Sequence, residues 1–464
     1  MQKLLDRIAS EADDWTELRF QARQARTLTI RNGLLEASTS IRLTGVGVRV
    51  LALGVFGFAS TTDLTEKGIR SAVAAARAAA RTSAPAKRDR VEKLADATLA
   101  RGVFPVDASD PLDAHPLEEK LALTASVEER LRSASPKIVS STATYDEIQD
   151  EKILVTSDGA SAHIFDSKPS FRVIAVAREA GKQSMGYETV GVTGGWSDLF
   201  AHRTADDLVE QALRLAVDQL SAPQPEGGVA TVVLDPALVG LLCHEAIGHT
   251  VEADIVLGGA VTGGRIGQRV ASEFVTMCDS GLSPYDSHAV GTLPVDDEGV
   301  ATGRTVIIEH GVLRSYLHNR ETAALYGVAP TGNARAFVYS DNPIIRMRNT
   351  YIEPGEKEVA ALFAGVRRGY YLKGFGMSGE ADSNAEFMFG VREARRIVDG
   401  RVGELVRGVT ISGNAFAVLR SVDAVANDFA WEKGAGSCGK GQAAKVDAGG
   451  PHICCTVTMG GRQG

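Results

Sequence analysis

The chain has 464 residues, of which 44% are apolar and 23% charged, with a formal net charge of −8. That length is ample for packed cores and implies two or three domains, while an acidic balance without any Lys/Arg run interleaved with aromatics argues against nucleic acid or anionic lipid as a partner. Acidic residues in MQKLLDRIASEADDW, where a secretory leader would be apolar, and the lack of an 18-residue apolar run lead us to expect a cytoplasmic protein with no membrane span.

In chain order, Leu4, Leu5 and Ile8 mark an amphipathic helix, and the alternating stretch from 27 to 60, with turn signals at Asn32-Gly33 and Gly54, predicts a β-meander. KGIRSAVAAARAAARTS is an Ala-rich helix, followed by a polar connection over about 82–115 and a helix at LEEKLALTASVEERLRS. Strands are predicted at KIVSSTATYDE, EKILVTSD and SFRVIAVARE, then a helix at TADDLVEQALRLAVDQLSA with Thr204 as its cap. PQPEGG (223–228) suits neither helix nor strand and sets the expected domain boundary, giving domains at 1–222 and 223–464. Beyond it, ATVVLDP predicts a strand and PALVGLLCHEAIGHTVEADIV a helix. The remainder is strand-and-turn, including VASEFVTMCD, GRTVIIEHGVLRSYLH, YYLKGFG and REARRIVDGRVGELVRGVTI. The predicted class is α+β: an N-terminal α/β domain with a mostly antiparallel sheet, and a C-terminal β-rich domain carrying the 236–256 helix.

That helix contains CHEAIGHT. In H-E-x-x-H hydrolases two imidazoles four apart share one helix face with the Glu beside them. Here His244 and His249 are five apart, and at about 100° per residue an α-helix would leave them about 140° from each other. Sharing one ion requires a π-bulge or an unwinding at Gly248. Two histidines and Glu245 among apolar neighbours are costly to bury without a partner or metal.

A catalytic site also needs a third ligand and an open position for water. Candidates are the other histidines, several carboxylates and the thiols. Cys438, in EKGAGSCGKGQ, stands out because its glycine neighbours allow close approach and Lys440 is placed to favour thiolate. Cys243, Cys278, Cys454 and Cys455 are expected to be buried apolar residues, since the five cysteines form no disulfide framework. GAGSCGK fits a phosphate-binding G-x-x-x-x-G-K only without the following Ser or Thr, because Gly441 stands there. AGSCG falls short of a G-x-S-x-G nucleophile elbow because it begins with Ala435.

HEAIGH, GTLPVDDEG, VIIEHGVLRSYLHNRETAALYG, PTGNARAF, RMRNTY and SCGKGQ occur in the order and spacing of one family. Across about 229 to the C-terminus, and more loosely before it, the sequence resembles the TldD/PmbA metallopeptidases, specifically the TldD-like subunit that keeps H-E-x-x-x-H. Thr250, where the family often has Gly, and Cys454-Cys455 depart from its pattern. The resemblance implies His244, His249 and Cys438 as metal ligands, Glu245 as general base, and a peptide substrate. It further implies a homodimer or a heteromer with a paralogous subunit lacking the metal motif. Zinc is the expected ion, with iron(II) accepted by the same N₂S set. The competing expectation is a non-catalytic peptide-binding or scaffold subunit whose structural metal has a fourth protein ligand, Asp254 or His452. For His318 and Arg320 a solvated strand face or a dimer contact is expected, and Tyr316 is expected to be a packed strand residue.

Overall fold

Alternation over residues 15–61 produces β1 (Trp15–Arg31), β2 (Leu34–Ala52) and β3 (Val55–Thr61). Their turns carry consecutive positive φ at Asn32-Gly33 and Leu53-Gly54, the backbone twist that matches tight hairpins. This computed structural model describes residues 1–461 except 89, 92 and 435, without the side chains of 377, 378 and 380, so the Ala435 comparison above lies outside the described residues.

With β4 (Arg101–Phe104), β5 (Ile138–Thr156), β6 (Ser161–Glu179) and β7 (Lys182–Gly191), these strands form one sheet in the order β3-β2-β1-β5-β6-β4, with β7 also on β6. Every pairing is antiparallel except β4 with β6. Helices α1 (Gln2–Ser10) and α2 (Glu66–Ser83) cover the β1–β3 end through Leu5, Ile8, Ile69 and Ala76. After α3 (Leu117–Ser133) and the short α4 (Trp196–Leu199) comes α5 (Ala205–Asp218), which packs with α3 over Tyr145, Phe171 and Val173. Thr204 caps α5 reciprocally with Asp207, two otherwise orphan N–H groups being satisfied at once.

Two predicted strands, 137–147 and 151–158, are one. Across the junction the charged residues are paired and Glu147 and Asp150 are buried, Glu147 with Lys120 (2.6 Å) and Arg26 (3.2 Å), and Asp150 with Arg23 (2.6 Å).

The second half begins with β8 (Gly228–Leu234). It lies between the strands Arg368–Ala381 and Ile453–Gly460, and the order continues through Thr410–Asn414 and Glu386–Val398, which pairs back onto Arg368–Ala381. Five strands therefore close on themselves, with Arg401–Val406 and Ala424–Val425 attached as edge strands. Cys454 and Cys455 project to opposite faces and join separate apolar clusters. A six-stranded sheet, including Met277–Ser280, Asn349–Ile352 and Asp447–Gly450, stands beside it.

The halves meet at the GTLPVDDEG segment. Arg49 bridges Glu17 (2.7 Å) and Glu298 (2.6 Å), and Lys152 pairs with Asp297 (3.1 Å). Asp296 accepts from the amides of Glu298, Val300 and Ala334, which pins the turn.

The expectation for His318 and Arg320 is corrected. The hairpin strand ends at Leu313, and the chain turns inward to a helix at Arg320–Tyr326 capped by Asn319. His318 and Arg320 are 3% and 4% exposed, with Arg320 paired to Asp158 at 2.7 Å. Tyr316 is packed in the core and donates to the carbonyl of Thr262 (2.6 Å). No helix among the described residues is long and apolar enough to cross a membrane.

Candidate metal centre

Asp235 accepts from the amide of Leu238 (3.0 Å) and Pro236 occupies the first turn, starting α6 (Pro236–Leu241). Within the predicted 236–256 helix, where the histidine spacing requires a π-bulge or an unwinding at Gly248, the winding changes. Leu242–Gly248 is a π-helix and His249–Val251 a 3₁₀ turn, and Glu252 is extended before Ala253–Leu257. Slackened i→i+5 winding returns positions five apart toward one face. The rings of His244 and His249 accordingly lie edge to face with centroids 5.3 Å apart.

Gly248 makes the turn sterically feasible: a Cβ there would lie 2.0 Å from the sulfur of Met347 and 3.1 Å from the carbonyl of Cys243. Thr250 donates to the carbonyl of Ile247 (2.7 Å) as the winding tightens again.

Cys438 comes from a separate hairpin, Ser437–Gly439 against Ala443–Lys445. Two buried arginines clamp its backbone. Arg346 donates to the carbonyls of Cys438 (2.8 Å) and Gln442 (2.6 Å), and Arg335 to that of Lys445 (2.6 Å). These arginines belong to RMRNTY and PTGNARAF, segments that carried the family resemblance without a local clue to this role.

The hairpin sets the Cys438 thiol 3.2 Å from Nε2 of His249. Ligand atoms of His244, His249 and Cys438 all lie within 4.8 Å of one another, the one such grouping found among the described residues. Both ring nitrogens of His244 are buried and have no hydrogen-bond partner. An orphaned imidazole beside a thiol and a second imidazole is the donor set that a borderline-soft divalent ion takes. Burial, reinforced by the positive fields of His249, Arg346 and Arg335, holds His244 well below the ordinary imidazole range and leaves it neutral, ready to ligate.

Glu245 lies beside this group, its carboxylate 3.8 Å from Nε2 of His249. Burial pushes its pKa up, opposed by the charges of His249 and Arg346. A carboxylate made more basic in this way is suited to take a proton from water.

Local sequence reasoning missed Glu252. It is fully buried and accepts from Nδ1 of His249 at 3.0 Å, while Lys440 neutralises it at 3.0 Å. The available signal was a carboxylate three places after the second histidine in an apolar run. Burial pulls the pKa of His249 down, but its contacts with Cys438 and Glu252 outweigh this and raise it to about 10. Lys440 reaches Asp254 (2.7 Å), Glu252 and the carbonyl of Ile345, not the sulfur it was expected to support. Asp254 is thereby engaged, and His452 is bound to Tyr371 (2.9 Å) and Asp428 (2.7 Å) away from the group. Cys243, Cys278, Cys454 and Cys455 are core residues.

His244, Glu245 and Cys438 line a cleft of about 240 Å³, whose other wall, with Arg172, Tyr187 and Thr189, comes from the first sheet.

The model of the PmbA/TldA metallopeptidase C-terminal domain matches residues 227–461, that of the central domain 110–220 and that of domain 1 16–80. A metalloprotease of Methanothermobacter thermautotrophicus is 32% identical, over 95% of this chain and 94% of its own. A zinc metalloprotease TldD homolog of Saccharolobus solfataricus is 30% identical over 98% of each. The fold is shared with TldE from Thermococcus kodakarensis, at a TM-score of 0.76 and 15% identity over 100% of this chain and 99% of that one. A Thermotoga maritima protein aligns with a TM-score of 0.80 and 21% identity over 99% of each.

Proposed function

The chain belongs to the PmbA/TldD metallopeptidase family, and from that premise we propose that it is a metal-dependent peptidase acting on short or unfolded peptides, with Glu245 as general base and His244, His249 and Cys438 as metal ligands. The observation carrying this reading is the unpartnered, neutral imidazole of His244 beside Cys438, His249 and Glu245 in one cleft. A divalent ion held there, zinc in the first instance, would supply Lewis acidity toward water and the scissile carbonyl. Glu245 removes a proton from the attacking water and delivers it to the leaving amine. Glu252 fixes the tautomer of His249 so that Nε2 faces the ligand group. The first sheet shields the opposite side of the cleft from bulk water.

A purely structural ion would ordinarily have a fourth protein ligand, and the candidates Asp254 and His452 are held by other partners. The working unit in this proposal is a homodimer or a heteromer with a paralogue lacking the motif. The outer edge of β2 over 34–45 has no strand partner among the described residues and exposes Leu34, Leu35 and Ile41, a surface such an assembly would cover.

The test is Glu245→Gln. It should bind the ion as the parent does and lose peptide cleavage by about 10²- to 10⁴-fold. Undiminished cleavage at equal metal content would remove the base assignment.

A further inference from the structure

Adjoining the metal cleft is a second cavity of about 570 Å³, and the two share Thr189, Ala237 and Glu432 in their walls. A cleft of 240 Å³ holds little more than the reacting groups, so an extended chain seated there must continue past a shared wall. The second cavity falls within the range of about 300–1,000 Å³ usual for ligand sites.

Its chemistry divides in two. Three basic side chains, Arg203, Arg392 and Lys433, face three carboxylates, Asp235, Asp286 and Glu432. The basic groups are engaged internally: Arg203 and Arg392 hold buried Glu188 at 2.6 and 3.4 Å, and Lys433 pairs with Asp286. Asp235 accepts from the amides of Leu238 and Gly374, both at 3.0 Å. An incoming charge would have to displace one of these partners.

The other part of the wall is aromatic. Tyr285 stacks on Phe429 with ring centroids 4.0 Å apart, and Trp431 meets Phe429 edge-on at 5.0 Å. The indole N–H of Trp431 is satisfied by Ser283 (3.0 Å), so that ring offers only apolar surface. Trp431 is nearly buried, but Tyr285 is 43% exposed at the open end of the stack.

We propose that this second cavity is a substrate subsite that receives a large apolar side chain, aromatic above all, from a peptide whose scissile bond lies at the metal cleft. The inference rests on the peptidase reading. A ring entering the stack removes apolar area from water and completes an offset or edge-to-face arrangement without disturbing the internal ion pairs. An Asp side chain gains none of this and loses its hydration. A Lys side chain is the rival occupant, through the aromatic faces.

Two measurements test the subsite, the second independently of the chemistry. First, peptides differing at one position, Phe, Leu, Asp or Lys, are compared by kcat/KM with the metal-loaded protein. Phe should exceed Asp by about 10- to 200-fold, the discrimination a hydrophobic pocket supports, and Tyr285→Ser should bring that ratio toward one while metal content is retained. Second, a peptide carrying 4-fluorophenylalanine is titrated into Glu245→Gln and followed by ¹⁹F NMR. It should bind, and bind more weakly when Tyr285→Ser is added. A preference for Asp or Lys, or a Phe preference untouched by Tyr285→Ser, overturns the proposal. If the metal-loaded protein cleaves no peptide, the peptidase reading fails, and the ¹⁹F titration still decides the subsite through the effect of Tyr285→Ser on binding.

Discussion

His249 shows how a neighbour sets what a proposed ligand can do. Its Nδ1 faces the carboxylate of Glu252, so the proton belongs on that nitrogen and Nε2 is left toward Cys438 and the proposed ion. Glu252→Gln should therefore weaken metal affinity by about 10- to 100-fold, measured by competition with a chelating dye, without unfolding the chain. Protonation supplies a second test. Without the ion, His249 titrates at about 10 and is an imidazolium at neutral pH. The ion requires the neutral ring and a thiolate at Cys438, so the ring proton, and that of the thiol where it is still bound, leave on binding, and affinity should rise by at least about tenfold per pH unit from pH 6 to 9. His244, already neutral, adds nothing to this slope. Calorimetry in buffers of different ionisation enthalpy counts the protons released at pH 7.5, and a pH-independent affinity would refute the argument.

At the scale of the element, the stretch from Asp235 to Leu257 packs four backbone conformations into the space of one predicted helix. Gly248→Ala puts a methyl group against Met347, which is 1% exposed and has little room to withdraw. We expect a loss of about 1–3 kcal/mol in stability, from overpacking, together with weaker metal binding. Met347→Ala in the same background should recover part of both, as read by denaturant unfolding and metal titration. The element also shows what local pattern can and cannot convey. The β1–β3 meander and the Thr204 cap were legible because alternation, Asn-Gly turns and capping boxes act over a few residues. Spacing alone showed that His244 and His249 needed abnormal winding, but the need for glycine at 248 comes from Met347, about a hundred positions away, which leaves no room for a Cβ there. β5 looked like two strands because its buried ion pairs find their partners on β1 and α3. Cys438 could be singled out by its glycines, but Lys440 was assigned the wrong contact, since Asp254 and Glu252 approach it only in the folded chain.

Over the whole molecule, the first half walls a cleft whose chemistry resides in the second, and several bonds tie the two across it. Thr189 donates to the carbonyl of Gly434 (2.5 Å), and Tyr187 to that of Phe375, which steadies the approach to the Cys438 hairpin from the far side. Cys438 and His249 stand 189 positions apart in the chain, in segments that share no strand pairing. On the reading proposed above, one ion joins them and acts as a reversible clasp. A ligand that binds only the folded state stabilises it by mass action, about 4 kcal/mol at a thousandfold excess over Kd. Chelation should lower the thermal midpoint and open the 437–445 hairpin to added trypsin, which can cut at Lys440 and Lys445. Unloaded copies would then be the first that cellular turnover removes, and the cation that enables the chemistry would also set how long its carrier lasts.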